Sequence, residues 1–442
     1  MTKQTTAFTI CARNYYGLAQ VLRQSIQTHD PDIRFVAFIA DGIPPEDRAE
    51  FGADAIDAVE LMSDYVSEDT LRDMAFKYNL TEYCTAIKPF CFRHVFDRTD
   101  ADASLYLDPD IFVFSSLAEI IAKLQTASIV LTPHIIFPSL HEGARADNGI
   151  LATGVFNLGF LGLARSDTTH TFLRWWSQRL VDQCFVDNHD ALFTDQKWMD
   201  FVPTLFPSSE VCSFRHAGLN LAPWNFHERE VSPDAAGGFL VSRRIGMKSD
   251  QELTAETRSD DKLVFVHFSG FDYKKFCSGQ VAQYNLDGLT VPADLNAVIE
   301  RYMAAIQAGS AQVLRFLGKP YRYATFDNGA TILSFHRRLY RAALDAGKSW
   351  GNPFATTDGG FYRLLKQRSL LAGRGTTASL DKTNKRNLTG LGRKLSAFST
   401  MMRLVKRVVG FENYLFLLRL MRPYSRPEAQ LHLLDRSLDH VI

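Results

Sequence analysis

Tyr106-Leu107-Asp108-Pro109-Asp110-Ile111-Phe112 is the stretch from which the fold is read. Residues 104–107 form a short apolar run of strand type, and two carboxylates one residue apart follow it. Alternate side chains of an extended backbone point the same way, so Asp108 and Asp110 are expected on one side. Two hard oxygen donors side by side suit a divalent cation that keeps other positions open for phosphates. Pro109 between them fixes φ and removes a backbone donor, which stiffens the pair. A solvated acidic turn fits the same spacing, so the surrounding chain has to decide between the two.

Working outward, strand-like and helix-like segments alternate. Residues 8–12 and 35–40 are apolar runs of buried-strand length. Between them, Leu18, Val21, Leu22 and Ile26 recur at helical spacing over residues 17–28. Residues 44–61 read as one helix with Pro44 in its first turn, and residues 81–96 as a helix interrupted at Pro89. Residues 128–132, 155–163 and 263–267 read as further strands, and Ser166 caps a helix through Phe172, Trp175 and Trp176. Such alternation defines an α/β fold with a mostly parallel sheet, flanked by helices. Ligands of such sheets lie beyond the carboxyl ends of the strands. Arg13 and Asn14 follow the first strand, Asp41 the second, Asp108 and Asp110 a later one, and His267 ends the last. One shared cleft is expected.

The chain has 442 residues, 46% hydrophobic and 22% charged, which gives room for a large core and two or three domains. Net charge is zero but unevenly spread: residues 363–426 hold fifteen Lys or Arg and two acids, Asp381 and Glu412. The six cysteines are scattered, without a C-x-x-C pair, and are expected as free thiols. The first thirty residues show no signal-peptide pattern, and no uncharged apolar run reaches membrane-spanning length. A cytoplasmic protein is expected, with no nucleic-acid partner. After residue 280 the character changes: residues 289–308 and 332–344 look helical, and residues 372–393 are linker-like.

Five segments in order carry a resemblance to a known family. They are Asn14-Tyr15, Ala86-Ile87-Lys88, Asp108-Pro109-Asp110, Phe156-Asn157-Leu158-Gly159-Phe160 followed by Thr194-Asp195-Gln196, and His267-Phe268-Ser269-Gly270 with Lys274 behind it. Over residues 5–280 these resemble glycosyltransferases of the type-A fold. The nearest likeness is to the retaining family 8, which contains glycogenin and bacterial lipopolysaccharide glucosyl- and galactosyltransferases. Two departures stand out: one extra residue precedes Lys274 without a following Pro-Trp, and Lys197 stands in place of a third acidic residue. The resemblance implies a type-A glycosyltransferase fold over residues 1–280; the change of character beyond it adds a helical subdomain at 281–371 and a basic linker with amphipathic helices at 372–442. Residues 321–366 also resemble a helical segment that follows such domains in bacterial polysaccharide-synthesis proteins. It further implies transfer from a UDP-sugar to a glycan or lipid-linked acceptor, with Mn²⁺ or Mg²⁺ held by Asp108, Asp110 and His267. Asn14, Tyr15, Lys88, Asn157, Gly270 and Lys274 would touch the donor, and Asp195 and Gln196 would serve catalysis.

The chemistry of the residues agrees with this without the family. A metal between two phosphates stabilises a leaving dianion, and an imidazole ligand tilts the site toward Mn²⁺. A carboxylate or amide beneath the anomeric carbon, from Asp195 or Gln196, stabilises oxocarbenium character. Each residue keeps a blander alternative. His267 ends an apolar strand, Asp195 suits an N-cap, Asn157 suits a buried amide, and Lys88 before Pro89 suits a kink aimed at the cleft or a solvated charge. Arg13 is a donor contact or a surface charge, and Asp41 touches ribose or makes the Asp41-Gly42 turn. Trp175 and Trp176 read as core, whereas Trp224 lies in a polar loop where it could stack on a sugar. A sugar-phosphate nucleotidyltransferase is the competing enzyme, but residues 11–17 carry one glycine where that class has a Gly-rich loop. A non-catalytic carbohydrate-binding scaffold is the third reading. In the tail, Leu395, Phe398, Met401, Met402, Val405, Val408 and Val409 share a helical face broken by basic residues. That face suits an anionic membrane surface, or docking on protein.

Overall fold

The computed structural model describes residues 4–137, 147–244, 260–285, 290–373 and 391–435. Residues 374–390, most of the expected linker, lie outside these. The strands are β1 (Thr5–Cys11), β2 (Arg34–Ile39), β3 (Ala55–Asp57), β4 (Ala103–Leu107), β5 (Ile111–Val113), β6 (Ile129–Leu131) and β7 (Phe160–Ala164). They continue with β8 (Val186–Asp187), β9 (Leu192–Phe193), β10 (Val211–Ser213), β11 (Arg229–Pro233), β12 (Phe239–Arg243), β13 (Asp261–Lys262) and β14 (Phe265–His267). A seven-stranded sheet runs β10-β6-β7-β4-β1-β2-β3. All its pairings are parallel except those of β7 with β4 and β6.

The central strand explains the continuous apolar runs of the sequence. β1 is buried along its whole length, as a strand covered on both faces must be. On one face Ala7 and Cys11 join Tyr16, Ala19, Leu22 and Ile26 of the helix Tyr16–His29. On the other, Phe8 meets Phe38, Phe92 and Tyr106, with ring centroids 4.7–5.4 Å apart; Phe92 belongs to the helix Lys88–Arg98. The helix Asp167–Asp182 starts at Ser166, whose side chain accepts from Thr169 N, as expected of the cap.

Four expectations about elements need correction. Residues 44–61 are not one helix. They form a 3₁₀ turn (Pro45–Glu50), β3 and a short helix (Ala58–Met62). The open edge of β2 takes up Ala55–Asp57 as a strand, and Asp57 then accepts from Val59 N and Glu60 N to start the helix anew. The helical stretch over 81–96 is divided, as expected, but at Ile87, between Leu80–Ala86 and Lys88–Arg98, and not at Pro89 itself. Pro89 lies in the first turn of Lys88–Arg98, where its missing N–H costs nothing, so Lys88 is itself helical. The strand expected at 155–163 covers only Phe160–Ala164, because Leu158 N and Gly159 N bond to side chains and not to a ladder. Asp108–Asp110 is a turn and not extended chain: β4 ends at Leu107, and Ile111 N bonds back to Asp108 O at 3.0 Å.

Packing divides the chain into two compact units, Met1–Val66 with Leu80–Tyr321, and Ser67–Asn79 with Arg322–Ile442. The division therefore falls after Tyr321 and not near residue 280. The helices Asn296–Ala308 and Ser310–Leu317 belong to the first unit because Tyr302, Ile306 and Val313 share a core with Leu18, Val21 and Phe268. Gly17 makes this possible: a Cβ there would lie 2.7 Å from Val313 Cα. In the second unit Phe76 packs with Phe326, Leu339, Tyr340 and Phe361. Buried Arg337 donates to Phe76 O at 2.6 Å and Tyr78 O at 2.8 Å, closing the carboxyl end of the helix Glu68–Lys77. The helices Ser334–Asp345, Leu391–Val409 and Phe411–Tyr424 complete a helical C-terminal region.

Candidate active site

A cavity of about 620 Å³ opens beyond the carboxyl ends of β1 and β4, within the size range of small-molecule sites. Nine of the thirteen candidate residues line it: Asn14, Tyr15, Lys88, Asp108, Asp110, Asn157, Asp195, Gln196 and His267.

Non-local strand pairing assembles the acidic cluster. β14 runs antiparallel to β5, with His267 opposite Ile111, and Phe268 N bonds to Asp110 O at 2.9 Å. His267 Nε2 therefore lies 3.1 Å from Asp110 Oδ1 and 3.4 Å from Asp108 Oδ2. One ligand atom from each of the three residues lies within 4.8 Å of the others. Two carboxylates and an imidazole form a donor set suited to Mn²⁺ or Mg²⁺. Burial lowers the His267 pKa, but the charges of Asp110 and Asp108 outweigh it and hold it above its ordinary value. Burial also pushes the Asp108 carboxyl up, against the pull of His267 and Lys88. Tyr106 donates its hydroxyl to Asp108.

Asn157 aims the imidazole. Its Oδ1 faces Gly159 N at 3.0 Å, and a backbone N–H can only donate, so that atom is the acceptor. The same oxygen accepts from Asn220 Nδ2 at 3.0 Å and faces His267 Nδ1 at 3.3 Å. His267 therefore carries its proton on Nδ1 toward Asn157 and turns Nε2 to the carboxylates, the arrangement expected around a metal ligand. Gly159 leaves room for the ring: a Cβ there would lie 2.4 Å from His267 Cε1.

The opposite wall holds a buried ion pair. Lys88 Nζ lies 2.5 Å from Asp195 Oδ2, with the side chains 1% and 2% exposed. The same ammonium donates to Leu158 O at 2.8 Å and stands 4.0 Å above the Tyr106 ring. Burial raises the Asp195 pKa, and Lys88 acts against it. Asp195 is not an N-cap; the following 3₁₀ helix, Lys197–Phe201, begins after Gln196 without a side-chain cap. Thr194 before it has φ 49°, rare for a β-branched residue and typical of strained functional turns. Fully buried Trp176 donates Nε1 to Asp195 O at 3.3 Å, and half-buried Trp175 stands edge-on to Trp198. Gln196 spends its amide on protein: Oε1 accepts from Asn157 Nδ2 and Leu158 N at 3.1 Å each, and Nε2 donates to Thr153 O at 2.8 Å.

Four candidates do not line the cavity. Arg13 pairs with Asp41, its backbone N–H at 2.8 Å and its Nε at 3.4 Å, and with Asp47 at 3.0 Å. Asp41 is fully buried and braces the turn after β1. Gly270 has φ 77° and follows Ser269, which does line the cavity. Lys274 is exposed on the short helix Tyr273–Cys277.

No motif announces His134, Asn220 and Asn225, which complete the buried polar network. Asn225 Nδ2 donates to His134 O and Asn220 O at 3.0 Å each. Asn220 holds φ 53°, which an Asn tolerates and which no flanking pattern announces. Trp224 stands edge-on to His134 and His267, at centroid distances of 5.4 and 5.1 Å. Its buried indole N–H has no partner among the described residues.

No family model matches the chain. It is similar to two Bacillus subtilis proteins, YfnF and YfnD, each described as uncharacterized: 26% and 30% identical over 193 residues, 43% of this chain. The matches span 57% and 54% of those proteins, little more than half of their length. Among solved structures it is similar to the galactosyltransferase LgtC in complex with donor and acceptor sugar analogs, at 16% identity over 72% of this chain and 98% of that one, TM-score 0.39. It is also similar to the glycosyltransferase GlyE of Streptococcus pneumoniae, at 15% identity over 74% and 67% of the two chains, TM-score 0.35.

Proposed function

We propose that this protein is a metal-dependent glycosyltransferase. It takes a sugar from a nucleotide-sugar donor, a UDP-sugar by motif resemblance, and passes it with retention to a glycan or lipid-linked acceptor in bacterial surface polysaccharide synthesis. The observation that carries the reading is the convergence of Asp108, Asp110 and His267 in one cavity with the Lys88–Asp195 pair. Asp108, Asp110 and His267 would hold Mn²⁺ or Mg²⁺, which supplies Lewis-acid stabilisation of charge on a departing diphosphate. Asn14 and Tyr15 flank the donor at the end of β1. Asp195 offers a fixed negative charge to an electron-poor anomeric carbon, and Lys88 holds that carboxylate in place. Gln196 is a positioning residue, tying Leu158 to Thr153 and so setting the segment that carries Asn157.

The test is UDP release from a panel of UDP-sugars with Mn²⁺. Turnover is expected to stop with EDTA, return with Mn²⁺ and vanish in Asp110→Ala. Undiminished turnover in EDTA overturns the metal assignment. Isotope exchange with pyrophosphate and no UDP release would assign the site to nucleotidyl transfer. NMR of the product reads the anomeric outcome.

A further inference from the structure

The helices Leu391–Val409 and Phe411–Tyr424 follow one another across Gly410 and leave an apolar face uncovered. Of the 21 exposed large apolar side chains among the described residues, 13 lie on these two helices. That concentration sets the region apart from ordinary scattered surface residues. At 3.6 residues per turn, Phe398, Met401, Leu404 and Val408 share one side of the first helix. Arg403, Lys406 and Arg407 occupy the other, while Arg393 and Lys394 in the first turn fall on the side of the stripe. Leu404 is 61% and Val408 76% exposed. The two helices together hold seven Lys or Arg and one acid, Glu412.

We propose that this helical pair lies in the plane of an anionic lipid bilayer. The apolar stripe enters the boundary of headgroups and acyl chains, and the basic side chains remain at the level of the lipid phosphates. Charge selects this occupant. A second copy of the chain would bring the same basic excess to the same face and repel it, whereas an anionic surface neutralises it. No described helix is long and apolar enough to cross a membrane, so the contact is in-plane. The inference is independent of the proposed transfer reaction, and its test reads binding alone.

Flotation of the full-length protein with vesicles decides it. The protein is expected to float with phosphatidylglycerol–phosphatidylcholine vesicles at low salt and to be released by high salt, which screens the surface. Pure phosphatidylcholine vesicles should leave it in the pellet. Leu404→Glu with Val408→Glu should abolish flotation. Reversing three charges, Arg403→Glu, Lys406→Glu and Arg407→Glu, should weaken partition on the order of a hundredfold. Circular dichroism and thermal melting check that the variants fold. Failure of the parent protein to float at low salt overturns the proposal, as does equal binding to neutral vesicles or unchanged binding by both variants. A protein that does not float but changes from dimer to monomer on Leu404→Glu would make this face an interface between copies.

Discussion

Asn157 touches more of the site than any motif implies. Its carbonyl oxygen faces His267 Nδ1, and its amide nitrogen reaches Gln196 and His134. Asn157→Ala removes the orienting acceptor but leaves all three metal ligands. Apparent Mn²⁺ affinity is expected to fall about 10–100-fold, the usual effect of losing a ligand's hydrogen-bond partner. Calorimetric Mn²⁺ titration measures it; unchanged affinity would reduce Asn157 to scaffolding. The Lys88–Asp195 pair calls for a different experiment. Lys88→Met leaves a buried carboxylate unpaired and should destabilise the fold by about 3–5 kcal/mol. Adding Asp195→Leu removes that orphan charge, so the double variant should recover most stability in urea unfolding while transfer stays absent. Recovered activity in the double variant would exclude Asp195 from the chemistry.

At the scale of elements, close approach and edge pairing matter most. The helix Ser310–Leu317 reaches the helix Tyr16–His29 because residue 17 has no side chain, a Cβ there lying 2.7 Å from Val313 Cα. Backbone cannot yield as a flexible side chain does. Gly17→Ala should therefore cost about 1–3 kcal/mol by overpacking, read from the midpoint of chemical denaturation. An unchanged midpoint would mean that the helices part without loss. Helical periodicity over residues 44–61 misleads for a related reason. The apolar residues that look like one helical stripe are divided by an edge strand, and the β2 edge decides that division. Residues near a free sheet edge obey the neighbour's hydrogen bonds before their own propensity.

At the scale of the molecule, residues 67–79 fold with a unit whose remaining sequence begins at residue 322. Phe76 is fully buried there, among Tyr340, Phe354 and Phe361 at centroid distances of 4.7–5.6 Å. Cutting the chain after Tyr321 removes those partners and Arg337. The truncated protein is expected to bind the dye ANS and to aggregate, although its seven-stranded sheet keeps every strand. A monomeric, dye-negative product would show that the helix Glu68–Lys77 needs no cover.

Local information was enough for the α/β alternation, the first helix, the cap at Ser166 and the carboxylate pair after β4. Each of these rests on periodicity, a cap or a turn residue within a few positions. The segments that line the cavity were also legible, because their motifs place polar residues at strand ends. Their roles were not. Gln196 and Asn157 look alike as motif amides, yet packing makes one a tie between segments and the other the orienter of His267. Arg13 and Asp41 also follow strand ends, but they neutralise each other outside the cavity. His134, Asn220 and Asn225 joined the site through contacts across 23 to 91 residues of chain, such as Asn157 with His134 and Asn225 with His134. Only the closed fold decided these, because a side chain's partner depends on which strand pairs with which. The β5–β14 register is the clearest case: it sets His267 opposite Ile111 and thereby beside Asp110.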